Sequence, residues 1–223
     1  MTGSDLSYAD WLNYVFDHAI PFYEEAWYHE PEADWWSPQP TRAVDYLARL
    51  FENPELLADE FSDSQIAQGL RYLIDNGAGG YCRFLTDGAV PIEARTACIE
   101  AFSTLFARLF QPRCEPVLSH LDEPGANALN GVCYMWWDIM PIGATAAPAQ
   151  ADPIHAACLA EMRETLRLPN PACQESALHG LGHWAQAYPE FTAATIDAYL
   201  AANPKLRPEL ARYAEAARAG CVN

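Results

Sequence analysis

Residues 171–189 read PACQESALHGLGHWAQAYP, and how this stretch is understood decides how the chain is understood. Asn170 can cap a helix and Pro171 fits its first turn, where a missing N–H costs nothing. Cys173, Ala177, Leu181, Trp184 and Tyr188 recur at helical spacing and predict one apolar face. Gly180 and Gly182 sit inside the same helix, where each costs about 1 kcal/mol relative to alanine. His179 and His183 lie four residues apart, so their imidazoles project from one side. The stretch is therefore either a metal site on a helix or the tightest seam of a helical array.

Outward from it, the chain reads as helix after helix. Tyr8, Trp11, Leu12, Val15, Phe16 and Ala19 predict a first helix that ends at Pro21. Further helices are expected at about 41–51, from Ser62 to Asn76-Gly77, from Pro91 past Leu109, over 129–140, from Asp152-Pro153 onward, and over 191–201 and 208–219. Ser62 and Gln65 fit a capping box. Residues 111–126, with Pro112, Pro116, Pro124 and Gly125, read as loop. No segment alternates as strands with hairpin turns do. The expected fold is all-α, an irregular α-solenoid or compact stack of helical hairpins. It forms a single domain over 1–223, with 141–153 as the candidate for a flexible connection.

Three helices share a local pattern of glycine, aliphatic, any residue, ring, large apolar: Gly69–Leu73, Gly131–Met135 and Gly180–Trp184. A helical glycine lets a neighbouring helix approach, and the ring beyond it fills the adjacent gap. On this pattern His183 takes the ring position of Tyr72 and Tyr134, as a polar-tipped core ring. His179 aligns with Gln68 and Asn130 in a polar row.

Composition narrows the function classes. With 51% hydrophobic and 12% aromatic residues, the chain can bury a large core and is not disordered. A formal charge of −17 argues against direct nucleic-acid binding, which needs basic surface. The charge is concentrated: residues 1–65 carry fourteen acids against Arg42 and Arg49, a net −12, and the remainder carries −5. Seven cysteines without a CxxC pair, no apolar run long enough for a bilayer and no signal-peptide pattern predict a cytoplasmic protein with reduced thiols and no membrane contact.

The segment 22–36 interleaves Trp27, Trp35 and Trp36 with Glu24, Glu25, Glu30, Glu32 and Asp34. Aromatic anchors beside carboxylates suit the capture of a basic protein, the acids steering the encounter. Those eight residues are the candidate partner-binding set, the alternative being that the tryptophans pack on the first helices. Glu175, His179 and His183 form E-x3-H-x3-H on one helical stripe, which could supply three metal ligands. The H-E-x-x-H signature is absent, and His155, His120 and Asp138 are further ligand types with nothing in the sequence to bring them together. The favoured reading has the two histidines in a packing seam, bonded to neighbours such as Glu175, with no cofactor and no catalytic set. A nucleophile elbow, a phosphate loop and a catalytic-cysteine signature are all missing.

ESALHGLGHW resembles the second helix of a HEAT-type repeat. More broadly, the size, acidity, helical content and the phrases QGLRYLI, CYMWWDIMP and CQESALHGLGHW resemble the small acidic helical immunity proteins of bacterial polymorphic-toxin systems, including those of Rhs and type VI secretion effectors. That resemblance implies an antitoxin-like protein that neutralises a cognate secreted toxin, a basic one such as a nuclease. The alternatives are a metal-dependent enzyme using Glu175, His179 and His183, and an adaptor or scaffold protein.

Overall fold

The computed structural model describes residues 6–20, 26–29, 36–144 and 152–222, and every regular element among them is helical. The first is α1 (Tyr8–Phe16), which the Ser7 hydroxyl caps by accepting from the Asp10 amide. It stops well before Pro21. Asp17 leaves helical geometry, and His18 Nε2 folds back to within 2.7 Å of the Tyr14 carbonyl oxygen. Next come α2 (Pro40–Glu52), α3 (Glu55–Glu60) and α4 (Asp63–Ile74), the last opened by the expected Ser62–Gln65 capping box. A 3-10 turn, Tyr81–Thr86, leads into a bent helical run over 92–113. It is composed of α5 (Ile92–Glu100), α6 (Phe102–Leu105), a π turn at Phe106–Phe110 and α7 (Gln111–Arg113). The wide π turn precedes Pro112, which has no N–H to offer residue 108 and whose ring crowds that carbonyl. Helix therefore extends into a segment that its prolines mark as loop.

The second half comprises α8 (Ala128–Tyr134), α9 (Trp136–Ile139), α10 (Pro153–Thr165), α11 (Pro171–Trp184), α12 (Pro189–Ala202) and α13 (Pro208–Arg218). The last four all carry proline in the first turn. Helices α1, α4, α8, α11 and α13 pack in succession, each on the next. A second row runs α2, α5, α10, and α10 closes onto α11. The result is an all-α stack of helices. Its centre holds Trp136, fully buried, with its ring edge-on to Phe51, Phe102 and Phe110. Six of the seven cysteines are buried, as expected of small hydrophobes, and Cys221 is exposed.

Helix α11 does not present a single apolar face. It is buried from Ala172 through Gly182, polar residues included, because α8, α9, α10, α12 and α13 all pack on it. Each buried polar side chain is bonded. Gln174 donates to the Leu168 carbonyl and accepts from the Tyr199 hydroxyl, and Ser176 Oγ donates to the Cys133 carbonyl at 2.5 Å.

The glycine pattern holds in two of its three helices. A Cβ at Gly180 would stand 2.7 Å from Trp137 Cβ, and one at Gly69 would stand 2.2 Å from the Phe16 ring, so both glycines admit a neighbour that no other residue would. Gly131 is exposed and a Cβ there would meet nothing within 4 Å. The ring positions diverge likewise: Tyr72 is buried, Tyr134 half-buried and His183 exposed. His183 is thus not a core ring; the buried histidine is His179.

Two stability predictions follow from this packing. Gly180→Leu forces the Trp137 contact apart and should cost about 1–3 kcal/mol in denaturant unfolding, while Gly131→Leu should cost far less. The second concerns Glu161 on α10, buried with Oε2 lacking a hydrogen-bond partner. Burial, helped by the charges of Glu100 and Glu164 and opposed by Ser103, raises its pKa from 4.5 to about 7. The folded state therefore holds a proton that the unfolded chain releases, and this stability is full below about pH 4.5 and lost as pH rises towards 7. Glu161→Gln should remove that slope, on the order of 3 kcal/mol, seen in urea midpoints measured at several pH values.

Candidate functional site

Two regions gather chemistry-bearing residues. The first lies on the N-terminal end of the stack. Of the eight partner-binding candidates, Trp27 and Trp36 are described; Glu24, Glu25, Glu30, Glu32, Asp34 and Trp35 lie outside the described residues. Trp27 sits in a 3-10 turn (Trp27–His29), stacked on His18 at 3.9 Å and 11° and edge-on to Tyr14. Trp36 is tied by its backbone: its amide donates to Tyr14 Oη at 3.1 Å and its carbonyl accepts from Tyr81 Oη at 2.9 Å. Tyr72 joins these, with its hydroxyl 2.9 Å from that of Tyr14 and 3.5 Å from that of Tyr81. Burial holds the Tyr72 and Tyr81 phenols far above the ordinary tyrosine range, so both remain protonated hydrogen-bonding groups. Both described tryptophans therefore pack on the first helices.

The first three helices carry exposed carboxylates. Asp10 and Asp17 at α1, Asp45 and Glu52 on α2, and Glu55, Asp59 and Glu60 on α3 are all exposed. Of the two cations among residues 1–65, Arg49 lies over the Tyr8 ring at 3.9 Å, and Arg108 from the π turn pairs with Glu55 at 3.0 Å. Beside Trp27 an open groove runs between Ala26, Tyr28, His29, Gln68, Arg71 and Asp75.

The second region surrounds α11, where the E-x3-H-x3-H stripe is split. Glu175 is fully buried and turned away from the histidines. Its Oε2 accepts from the Ser119 amide at 2.8 Å, and Oε1 accepts from the His120 amide at 3.0 Å and from His120 Nδ1 at 2.5 Å. The carboxylate thereby holds the 3-10 turn Ser119–Leu121 against the helix. Glu175 is neither a third ligand beside the histidines nor their hydrogen-bond partner.

His179 and His183 do converge, and with a different acid. Their Nε2 atoms are 3.2 Å apart, and Asp138 Oδ1 on α9 is 3.5 Å from His183 Nε2. All three ligand-type atoms lie within 4.8 Å of one another. His179 Nδ1 lies 2.7 Å from Tyr213 Oη on α13, which lies 3.1 Å from Tyr134 Oη on α8. Desolvation, reinforced by the nearby His183, lowers the His179 pKa to about 4, so its imidazole is neutral at ordinary pH. The His120 ring stacks on Tyr213 at 4.1 Å, linking the Glu175 bonds to the same tyrosine. His155 is engaged elsewhere, 2.6 Å from the Tyr188 hydroxyl.

The sequence points to the two histidines and puts Tyr134 in the packing pattern, but it marks neither Tyr213 nor Tyr134 as a partner of His179 and cannot join Asp138 to the pair. One signal existed: Asp138 is the single charged residue in the apolar run VCYMWWDIM. No protein-family model matches this chain, and no curated protein or solved structure matches it.

The Glu175 bonds predict a stability effect. Glu175→Leu leaves two backbone amides and His120 facing apolar surface, and should lower unfolding stability by on the order of 3 kcal/mol. Glu175→Gln, which keeps an acceptor oxygen, should cost clearly less in the same denaturation experiment.

Proposed function

We propose that this chain is an immunity protein, a cytoplasmic non-enzymatic inhibitor that binds a cognate bacterial toxin through the acidic end of its helical stack. The observation that carries the reading is the uneven charge: residues 1–65 hold a net −12, and their described carboxylates on α1, α2 and α3 stand exposed. Such a surface attracts a basic partner from a distance, while aromatic side chains supply the apolar area that holds it. Electrostatic steering also gives fast association, which suits a protein that must intercept a toxin before it acts. A basic nuclease has the complementary charge. Glu24, Glu25, Glu30, Glu32, Asp34 and Trp35 extend the same acidic and aromatic character along the sequence between Trp27 and its flanks.

The test begins with the coding neighbourhood, where a secreted toxin is expected; finding none would overturn the reading, and any candidate found is paired with this chain. Co-expression should restore growth of cells making that toxin. Reversing Asp17, Asp45, Glu52, Asp59 and Glu60 to lysine should slow association by about 10-fold or more at low salt, with the difference shrinking as salt is raised. Absence of rescue, or association kinetics indifferent to these charges, would overturn the reading. Circular dichroism of the reversed variant should match the parent, because all five side chains are exposed.

A further inference from the structure

The geometry points to a divalent transition-metal site formed by Asp138, His179 and His183, with Tyr213 as the outer partner that orients His179. Independently of any toxin, the placement of these groups carries it. Two imidazole Nε2 atoms face each other at 3.2 Å. A tetrahedral zinc ion with Zn–N bonds of about 2.0–2.1 Å holds its nitrogens about 3.4 Å apart. The second edge, His183 Nε2 to Asp138 Oδ1, is 3.5 Å, close to the same separation. The third edge falls within the 4.8 Å that spans the group, and Asp138 is exposed and can rotate to shorten it.

The hydrogen-bond partners of His179 are compatible with ligation. Once His179 Nδ1–H donates to Tyr213, Nε2 carries the lone pair, and Tyr213 passes its own proton towards the Tyr134 oxygen. A ligating histidine is characteristically fixed through its other nitrogen in this manner. His179 is also buried, and among the described residues His183 and Asp138 are the groups that cluster with it as ligand types. Without an ion, one of the two facing nitrogens must carry a proton; with an ion, both lone pairs and the carboxylate charge are used together.

Two imidazoles and one carboxylate select borderline first-row ions, zinc foremost, over magnesium or calcium, which prefer all-oxygen sets. Asp138 and His183 are exposed, so solvent can reach the remaining coordination positions. A set of three protein ligands with water beyond them is the composition of an open centre rather than a closed structural one.

The experiment uses the full chain with Cys221→Ser, which removes the exposed thiol as a competing ligand. After chelator treatment, the protein is titrated with Zn2+ and with Co2+, whose visible ligand-field spectrum reports nitrogen and oxygen coordination. One equivalent should bind. His183→Ala, at an exposed position, should weaken binding by at least about 100-fold. Asp138→Asn and Tyr213→Phe should weaken it by about 10–100-fold, the usual cost of altering a ligand's charge or its outer partner. His29→Ala, far from the cluster, should change nothing. Failure of the folded protein to bind either ion stoichiometrically, or binding that survives His183→Ala and Asp138→Asn, would overturn the site. Toxin neutralisation is read separately, so loss of one result leaves the other standing.

Discussion

The contact of Gly180 with Trp137 is the constraint on which the lower half of this structure depends. A glycine in mid-helix is unfavourable by itself. Here it lets an indole lie directly on the backbone of α11. That approach brings α9 alongside α11, and it carries Asp138, the next residue, to the edge where His179 and His183 emerge. The same helix accepts α13 closely at Gly182, where a Cβ would stand 3.2 Å from Ala217 Cα. Tyr213 on α13 is thereby within reach of His179. Two glycines thus assemble a cluster from three separate helices.

Close packing on every side removes α11 from water, so its polar side chains need partners within the protein. They find them at ends of neighbouring elements: a carbonyl at Leu168, a carbonyl at Cys133, the amides of Ser119 and His120. These bonds are made to backbone groups that regular helices leave unsatisfied at their ends. The buried polar row therefore serves as the attachment of loops to the central helix, which is a different role from that of an amphipathic seam. It also explains why Glu175 faces away from the histidines that share its stripe.

At the other end of the stack the logic is aromatic. Tyrosine hydroxyls on α1, α4 and the 3-10 turn bond one another and the Trp36 backbone, and Trp27 covers them with His18 stacked on it. The carboxylates of α1, α2 and α3 are exposed, with Glu55 paired to Arg108. The acidic surface and the histidine cluster sit on different helices of the two halves, so a partner at the one and an ion at the other are compatible.

Helical periodicity, proline at helix starts, the Ser62 capping box and the burial of cysteines were legible in the sequence, because each is set by neighbours within a few residues. The all-α class followed from them. The end of α1 at Phe16, the run of helix to Arg113 and the exposure of Gly131 were not legible, since each depends on what packs against the segment. The histidine pair was visible as an i, i+4 spacing, but spacing cannot tell which histidine is buried or which acid it meets. Glu175 is nearer in sequence, yet Asp138 is nearer in space. Helix α11 sets only the directions in which its side chains leave; what they find there is decided by helices folded against it from 40 residues before and 30 residues after, an order of separation that no local pattern records.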